Sequence, residues 1–550
     1  MTPPAMDPST YPAASGDAIE STARKRGPLP LHPFFVGAFP VLFLYAQNVN
    51  EVATGEVWVP LAAAVGLAAA LLLIARLTLR DWLRAALITS FLLLLFFSYG
   101  HVAEVLRGTR IAGVLIGRDR YLVLGWAMLG LLGVILAVRA RKRVADLTRI
   151  LNVTTAALLA VSLVTIGQGK WGSSVAPIEL GGDVTPAATP GRTQRDVYFI
   201  VLDRYAGERT LREAYGFDNG PFLQSLRDKG FFIADQSRAN YPNTAHSLAA
   251  TMNLDYLHPL SNDVPDAAEA TWGPVYSLVR ENKVASFFKD AGYRYVHVGS
   301  WWEPTRSSAA ADVVYQYDPL SEFTRVLYST TLVWPLAKRL GIASSRLDPR
   351  TVEWKRVPYQ FSKLAEARRY EGPTFVFGHL LVPHEPYLFN RDGTFVSRDQ
   401  EESRSTVTNY IEQLRYTNDR IGELVSTLLS GPPETHPIII IQADEGPPGL
   451  PVADPGPPLG PGWLHGTPDQ LRQKFRILSA YYFPGVSKTG LYPSISPVND
   501  FRLLLNTYFG TKLPLLPDEA WVWQDEEHLY TFLPISRYLE EPTQRDPPDG

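Results

Sequence analysis

Four places in the chain set donor side chains directly beside apolar runs. Asp203 follows VYFIVL, Asp444 and Glu445 follow PIIIIQA, His379 and His384 lie in FGHLLVPHEPYLF, and Thr244 sits in NYPNTAHSLAATMN. Carboxylates, imidazoles and a hydroxyl together can hold a divalent cation, and a hydroxyl beside a cation becomes a nucleophile. Each also has a plainer reading. A strand-terminal Asp often caps a turn, and a Thr before a helix is commonly an N-cap. Adjacent carboxylates such as Asp444 and Glu445 can mark a solvated turn, but after a buried run they repel one another unless a cation intervenes. A histidine among aromatics is often only a hydrogen-bonded packing residue. As site members, His379 and His384 would hold non-bridging oxygens or protonate a leaving group, and His465 in LHGTPDQLRQKFRI would be a third such contact.

The elements that must position these residues are legible as well. Val197 to Leu202 is an uninterrupted apolar run, as in a strand covered on both faces, and similar runs recur at Tyr293 to Val298, Thr374 to Leu381, Pro437 to Gln442 and Ile477 to Phe483. Helical stretches alternate with them at Pro221 to Lys229, Val275 to Asp290, Asn409 to Leu429 and Val498 to Tyr508, which predicts an α/β domain with a largely parallel central sheet. In such sheets ligands bind beyond the carboxyl ends of the strands, where Asp203, His379 and Asp444 fall. A helix starting near Thr244 would aim its positive end at an anion bound there.

A different composition precedes this domain. Five uncharged stretches, Leu31 to Asn50, Val57 to Ala75, Ala85 to Ala103, Tyr121 to Val138 and Ile150 to Gly169, are each long enough to cross a bilayer. The first follows Arg24, Lys25 and Arg26, as a signal peptide would, but no small-residue cleavage site succeeds it, so an anchored helix is the simpler reading. Arg24, Lys25 and Arg26, then Arg76, Arg80 and Arg84, then Arg139, Arg141, Lys142, Arg143 and Arg149 all fall on one side, which places the N-terminus inside and everything after Lys170 outside. Arg107, Arg110, Arg118 and Arg120 break the pattern and would meet anionic headgroups or simply depart from the tendency. The expected organisation is a cytoplasmic tail over 1–30, five transmembrane helices over 31–170, a Gly/Pro-rich linker over 171–195, an extracytoplasmic domain over 196–540 and a frayed tail over 541–550.

Composition narrows the function classes. The 550 residues carry 52 basic and 55 acidic side chains, a net charge of -3 that offers no footprint for nucleic acid. With no cysteine, thiolate chemistry and Cys-ligated metal are excluded. A transporter is disfavoured because the spans lack the charged residues that mark an ion path.

The strand-terminal Asp203, the Thr244-Ala245-His246-Ser247 segment and the late Asp444-Glu445-Gly446 together resemble the alkaline phosphatase and sulfatase superfamily. Membrane helices ahead of such a domain look most like lipoteichoic acid synthases and phosphoethanolamine transferases. The resemblance covers roughly 196–536, and in the helical half it lies in architecture rather than motif. It implies that Asp203, Thr244 and Asp444 ligate a metal, with Thr244 also the nucleophile. Where the family usually has His after the late Asp, this chain has Glu445. A site of Asp203, Asp444, Glu445 and the Thr244 oxygen would be all-oxygen and anionic, favouring Mg²⁺ or Mn²⁺, with Ca²⁺ or Zn²⁺ as alternatives. Formylglycine-dependent sulfatase chemistry is disfavoured, since there is no Cys and no Cys/Ser-x-Pro-x-Arg motif at the Thr244 position.

The expected function is a membrane-anchored, metal-dependent phosphoryl transferase or phosphodiesterase acting on an envelope lipid or glycan ester, with membrane lipids as its surroundings. The alternative is a catalytically silent scaffold or transporter partner, which Glu445 in place of His would favour. Lys474 and Arg476 read as solvated, His246 and Asn240 flank Thr244 without an assignable role, and Trp301 and Trp302 would either line a substrate cleft or pack in the core.

Overall fold

The computed structural model describes residues 27–49, 51–106, 109–111, 114–139, 143–172, 180, 184, 195–264, 268–318, 320–340, 348–449, 462–486 and 490–540. Arg24, Lys25, Arg26, Arg107, Arg141, Lys142, most of the expected linker and the 541–550 tail lie outside these residues.

Five apolar helices come first: α1 (His32–Gln47), α2 (Trp58–Leu79), α3 (Trp82–Val105), α4 (Asp119–Arg139) and α5 (Val144–Gly172). The last four are long and apolar enough to cross a membrane. α1 is the shortest: its 16 residues reach about 24 Å against a hydrocarbon core of about 30 Å, so the five expected spans are four full-length apolar helices and one short one. The polar residues closing the first apolar stretch end it early: Asn48 stands at the C-cap and donates from Nδ2 to the Leu44 carbonyl. α1 is seated among the others. Asn152 of α5 accepts from the His32 amide at 2.8 Å, and Gly37 lets α1 close on Ala64 and Ala68 of α2.

The soluble domain is built on one seven-stranded sheet: β1 (Val197–Leu202), β2 (Phe232–Ile233), β3 (Arg294–Val298), β4 (Val313–Tyr315), β5 (Thr374–Leu380), β6 (Ile438–Gln442) and β7 (Ser479–Tyr482), in the order β2-β7-β6-β1-β5-β3-β4. The five strands from β6 to β4 are parallel, and β7 and β2 add antiparallel at one edge. Because side chains alternate along a strand, β1 feeds two cores. Tyr198, Ile200 and Leu202 enter one, and Val197, Phe199 and Val201 enter the other.

Four helices of the soluble domain bear on the site or on its contact with the membrane part: α6 (Thr244–Asn253), α7 (Glu322–Ser329), α8 (Val333–Arg339) and α9 (Pro349–Glu366). The single helix expected over Val275 to Asp290 is two, Gly273–Arg280 and Lys283–Asp290, because Asn282 turns out of helical geometry and caps the second through Ala285. α9 has no counterpart among the helices expected from sequence, since Pro358 in its interior argues against a helix there. The membrane and soluble parts touch directly. Phe323 and Leu327 of α7 are buried with Val41, Tyr45, Leu93 and Phe97 of the membrane helices, and Arg306 pairs with Glu56.

Candidate active site

Three adjacent strands at the centre of the sheet deliver the donors. The register pairs Val201 of β1 with His379 on β5 and with Gln442 on β6, so Asp203, His379 and Asp444 leave the same sheet edge side by side. The Asp203 amide donates to the Leu380 carbonyl at 3.0 Å, carrying the β1–β5 ladder one residue past the strand and fixing where Asp203 begins. Donor atoms of Asp203, His379 and Asp444 all lie within 4.8 Å of one another, and all three residues are buried. They are the group with metal-holding geometry among the described residues.

The polar atoms in this cluster face one another without hydrogen-bond partners: Asp203 Oδ1, both Asp444 oxygens and His379 Nε2. Burying such atoms unpaired is costly, and burying carboxylates together more so. Burial and the neighbouring Asp444 and Glu445 push the Asp203 carboxyl well above the usual range. Burial and Glu445 raise Asp444 to about 7, opposed by the Thr244 hydroxyl and by Lys474. A divalent cation relieves all of these penalties at once, so the residues present fit the metal that the sequence resemblance implies.

His379 is oriented for this task. Its Nδ1 is 2.8 Å from Thr305 Oγ1, and its own carbonyl accepts from Gln360 Nε2 of α9 at 2.9 Å. With the proton on Nδ1 directed at Thr305, the lone pair of Nε2 faces the two aspartates, the arrangement by which outer hydrogen bonds set the tautomer of ligating histidines. Gly378, just before it, lets Leu364 of α9 pack where a Cβ would sit 2.9 Å away. Trp302 meets the His379 ring edge-on at 5.9 Å and belongs to the partly buried rim of a core, while Trp301 lines a cleft with Tyr276 and the α1–α2 loop.

Thr244 is the first residue of α6 and is half-buried. Asn243 is the N-cap and accepts from the Ala245 amide at 2.8 Å. That cap leaves the Thr244 hydroxyl beside Asp444 at the positive end of the helix. The two flanking residues are structural. His246 is enclosed by Tyr241, Trp272, Trp523 and Phe532, and Asn240 bridges the Glu519 carbonyl and the Val498 amide.

Glu445 departs from its expected place as a ligand. Its two oxygens are taken by cations, Oε1 by Arg204 Nε at 3.0 Å and Oε2 by Lys474 Nζ at 2.8 Å. The expectation of a solvated Lys474 is corrected with it: Lys474 is 2% exposed and also donates to the Gly446 carbonyl. Gly446 is required there, since a Cβ would lie 2.5 Å from the Lys474 carbonyl oxygen. Arg476 is half-buried and pairs with Glu213. Arg204 holds a left-handed backbone, φ 62°, immediately after Asp203, a conformation that costs a non-glycine residue about 1–3 kcal/mol and places its side chain between Glu445 and Glu385.

The remaining histidines separate. His384 lies at the mouth of the site beside Glu385 and Arg204, and burial and Arg204 lower it to about 4. It is therefore neutral near pH 7, and with its Nδ1 proton on the Glu385 carbonyl its Nε2 is left as an acceptor. His465 is exposed on the turn before the helix Pro468–Phe475 and is not part of the Asp203–His379–Asp444 group. Arg204, Thr305 and Gln360 are not among the residues expected from sequence, because they carry no motif of their own.

A family model described as Sulfatase matches residues 197–488, more than half of the chain. The chain belongs to the sulfatase family. No curated protein sequence matches it. Among solved structures it is similar to the C-terminal periplasmic domain of EcEptC from Escherichia coli in complex with Zn, at 11% identity over 60% of this chain and 87% of that one, TM-score 0.39. It is also similar to the integral membrane lipooligosaccharide phosphoethanolamine transferase A (EptA) from Neisseria meningitidis, at 12% identity over 87% of this chain and 95% of that one, TM-score 0.37. A third is the phosphonate monoester hydrolase of Agrobacterium radiobacter, at 12% identity over 60% and 80%, TM-score 0.36. Family membership rests on the family model and not on these distant likenesses.

The resemblance expects an imidazole directly after the late aspartate. Here that position is a carboxylate neutralised by two cations, and the imidazole nearest Asp444 is His379, from the other side of β1. The clustered candidate donors are therefore oxygen and nitrogen together rather than oxygen alone.

Proposed function

We propose that this sulfatase-family membrane protein is a metal-dependent phosphoryl transferase or phosphodiesterase acting on an ester of an envelope lipid or glycan, with Thr244 as nucleophile and its soluble domain outside the cytoplasmic membrane. The single observation that carries this reading is the buried trio Asp203, His379 and Asp444, its polar atoms unpartnered, beside a threonine that opens a helix.

Asp203, His379 and Asp444, with the Thr244 oxygen, would hold one divalent cation, Mn²⁺ or Zn²⁺ ahead of Mg²⁺ or Ca²⁺. When bound, it supplies positive charge that makes a hydroxyl more acidic and offsets charge on phosphoryl oxygens. Thr244, set by Asn243 at the start of α6, attacks phosphorus in line, its proton passing to solvent, while the ester oxygen leaves from the opposite side and takes up a proton. The resulting phosphothreonyl ester, which keeps the second ester group when the substrate is a diester, is then attacked at phosphorus by water or an acceptor hydroxyl, which releases Thr244. Arg204 supplies positive charge for a non-bridging oxygen, and the neutral His384, whose Nδ1 proton goes to the Glu385 carbonyl, presents Nε2 as an acceptor beside it. The helix dipole of α6 favours the anionic group in the same place. The scaffold reading draws on Glu445. His379, clustered with the two aspartates, supports the enzyme reading instead.

The test is a covalent one. Incubated with an aryl phosphodiester and divalent metal, the full chain is expected to gain a phosphoryl adduct on the peptide containing Thr244 by mass spectrometry. Thr244→Ala should lose the adduct and turnover, and Thr244→Ser should retain part of both. Turnover at the wild-type rate in Thr244→Ala would remove the nucleophile assignment.

A further inference from the structure

Between Arg325 and Lys338 the chain runs twelve residues without a charge, VLYSTTLVWPLA. A stretch of this length is too short to span a bilayer and is typical of a buried or re-entrant segment. It forms the second half of α7, a turn and most of α8. It is not buried in the soluble core. Val326 is 41% exposed, Leu336 39% and Leu340, just past α8, 69%, whereas its inward Leu327, with Phe323 one turn earlier in α7, packs on α1 and α3.

The turn joining α7 to α8 is bonded to the backbone of a membrane helix. The Gly100 amide of α3 donates to the Thr330 carbonyl at 2.8 Å, and the Leu332 amide donates to the Phe96 carbonyl at 2.9 Å. Gly100 allows this, since a Cβ there would lie 2.5 Å from Thr330 Cα. α3 has 24 residues, about 36 Å, against a hydrocarbon core of about 30 Å, so it overshoots by about 3 Å at each end. Phe96 and Gly100 lie nine and five residues before its last residue, Val105, or about 13 and 7 Å inward along the axis. The turn therefore meets α3 at hydrocarbon depth.

Backbone at that depth must have its hydrogen bonds satisfied within protein. Those of the turn are. The Thr330 amide reaches the Val326 and Leu327 carbonyls, the Thr331 amide reaches Tyr328, and the Trp334 amide reaches Thr331. The hydroxyls of Ser329, Thr330 and Thr331 also bond backwards, to the carbonyls of Val326, Leu327 and Tyr328. Charged side chains stay at the two outer ends: Glu322 and Arg325 where α7 begins, Lys338 and Arg339 where α8 ends.

We propose that α7, α8 and their turn dip into the outer leaflet as a re-entrant hairpin of the soluble domain, with lipid acyl chains covering Val326, Val333, Leu336 and Leu340. Leu94 of α3 is likewise 59% exposed on a membrane helix, which makes lipid the solvent for apolar surface at this level of the protein. Lys338 and Arg339 extend from the last turn of α8 toward headgroup phosphates, as long basic side chains do at membrane surfaces. The hairpin grips the catalytic domain to the membrane independently of the chain connection through α5. It does not depend on which reaction the site performs.

The chain has no cysteine, which makes site-directed spin labelling clean. Leu336→Cys and Leu340→Cys, each labelled in the full-length protein in phosphatidylcholine–phosphatidylglycerol vesicles, are compared with Leu94→Cys on α3 and Ser403→Cys on the soluble domain. The expected result is an oxygen-to-nickel-chelate accessibility ratio several-fold above that at Ser403 and close to that at Leu94. A ratio like that at Ser403 would place the face in water and overturn the proposal. Low accessibility to both reagents with spin–spin broadening would also overturn it, by showing a second copy of the chain on this face. If Leu336→Cys does not fold, Leu340→Cys, at the exposed end, decides the question alone.

Discussion

His379 Nε2 stands 3.9 Å from Asp203 Oδ2 across neighbouring parallel strands, too far for a hydrogen bond and suited to a third atom between them. Thr305, through His379 Nδ1, sets that orientation without entering the cluster. The purified chain is accordingly expected to bind one divalent ion, read by elemental mass spectrometry, and to be stabilised by roughly 2.7 kcal/mol when the ion is at about a hundred times its dissociation constant. His379→Ala and Asp444→Asn should both abolish the stabilisation. Thr305→Val, which keeps every donor but frees the ring, should weaken metal affinity by about 10–100-fold. Equal affinity in Thr305→Val and wild type would mean that the ring is held by packing alone.

Glu445 separates a ligand from a neutralising anion. Replacing it by Gln leaves Arg204 and the buried Lys474 facing each other without their carboxylate. Removing one partner of a buried ion pair costs about 3–5 kcal/mol, so Glu445→Gln should unfold at a clearly lower temperature. Its metal stoichiometry should nevertheless stay at the wild-type value when measured well below the transition. Loss of metal with no loss of thermal stability would reverse the assignment and return Glu445 to the ligand set.

Asp203 and Asp444 are legible in the sequence as strand-terminal positions because a buried parallel strand needs an apolar run and has to stop at the first charged residue. The helix at Thr244 is legible for a related reason, since Asn243 precedes an uncharged segment of good helix formers. What sequence cannot convey is convergence. Arg204 and Lys474 are far apart along the chain and meet only at Glu445, so a carboxylate that looks unneutralised in the DEG motif is in fact doubly paired. The role of Thr305 is invisible for the same reason, and α9 is hidden because its interior Pro358 contradicts local propensity while tertiary packing overrides it. The re-entrant hairpin is equally hard to read, because twelve uncharged residues are just as consistent with a buried core helix.

His297 of β3 gives the soluble domain an acid-sensitive element behind Thr305, the residue that orients His379. It is buried between Tyr295 Oη at 3.0 Å and the Thr305 carbonyl at 2.8 Å, and burial lowers it to about 4. A depressed folded pKa means that the unfolded chain takes up the proton first. Its contribution is fully present above the unfolded pKa of about 6.5 and is lost as pH falls toward about 4, to a total of roughly 3 kcal/mol. His297→Gln keeps a donor for Thr305 but does not titrate. The melting-temperature difference between wild type and variant should therefore shift in favour of the variant on acidification from pH 7 to pH 4. A difference that stays constant with pH would assign the acid sensitivity to other groups.

Two glycines in the membrane helices should respond in opposite directions to the same substitution. Gly125 of α4 has open space around its absent Cβ, so Gly125→Ala adds helix propensity worth about 1 kcal/mol at no steric cost. Gly100 of α3 gains the same propensity, but its new methyl would sit 2.5 Å from Thr330 Cα and 2.8 Å from the Thr330 carbonyl carbon and oxygen. These are backbone atoms, which no change of rotamer can move aside, and their position is fixed by the bonds to Gly100 and Phe96. Relief requires the α7–α8 turn to lift off α3, breaking both bonds at a depth where water cannot replace them. Overpacking of this kind costs about 1–3 kcal/mol, so Gly100→Ala should lower the thermal midpoint in micelles while Gly125→Ala raises or preserves it. Protease cleavage near Ser329 should rise only in Gly100→Ala. If Gly100→Ala behaves like Gly125→Ala in both measurements, the turn does not rest on α3, and the joint between the two halves of the protein lies elsewhere.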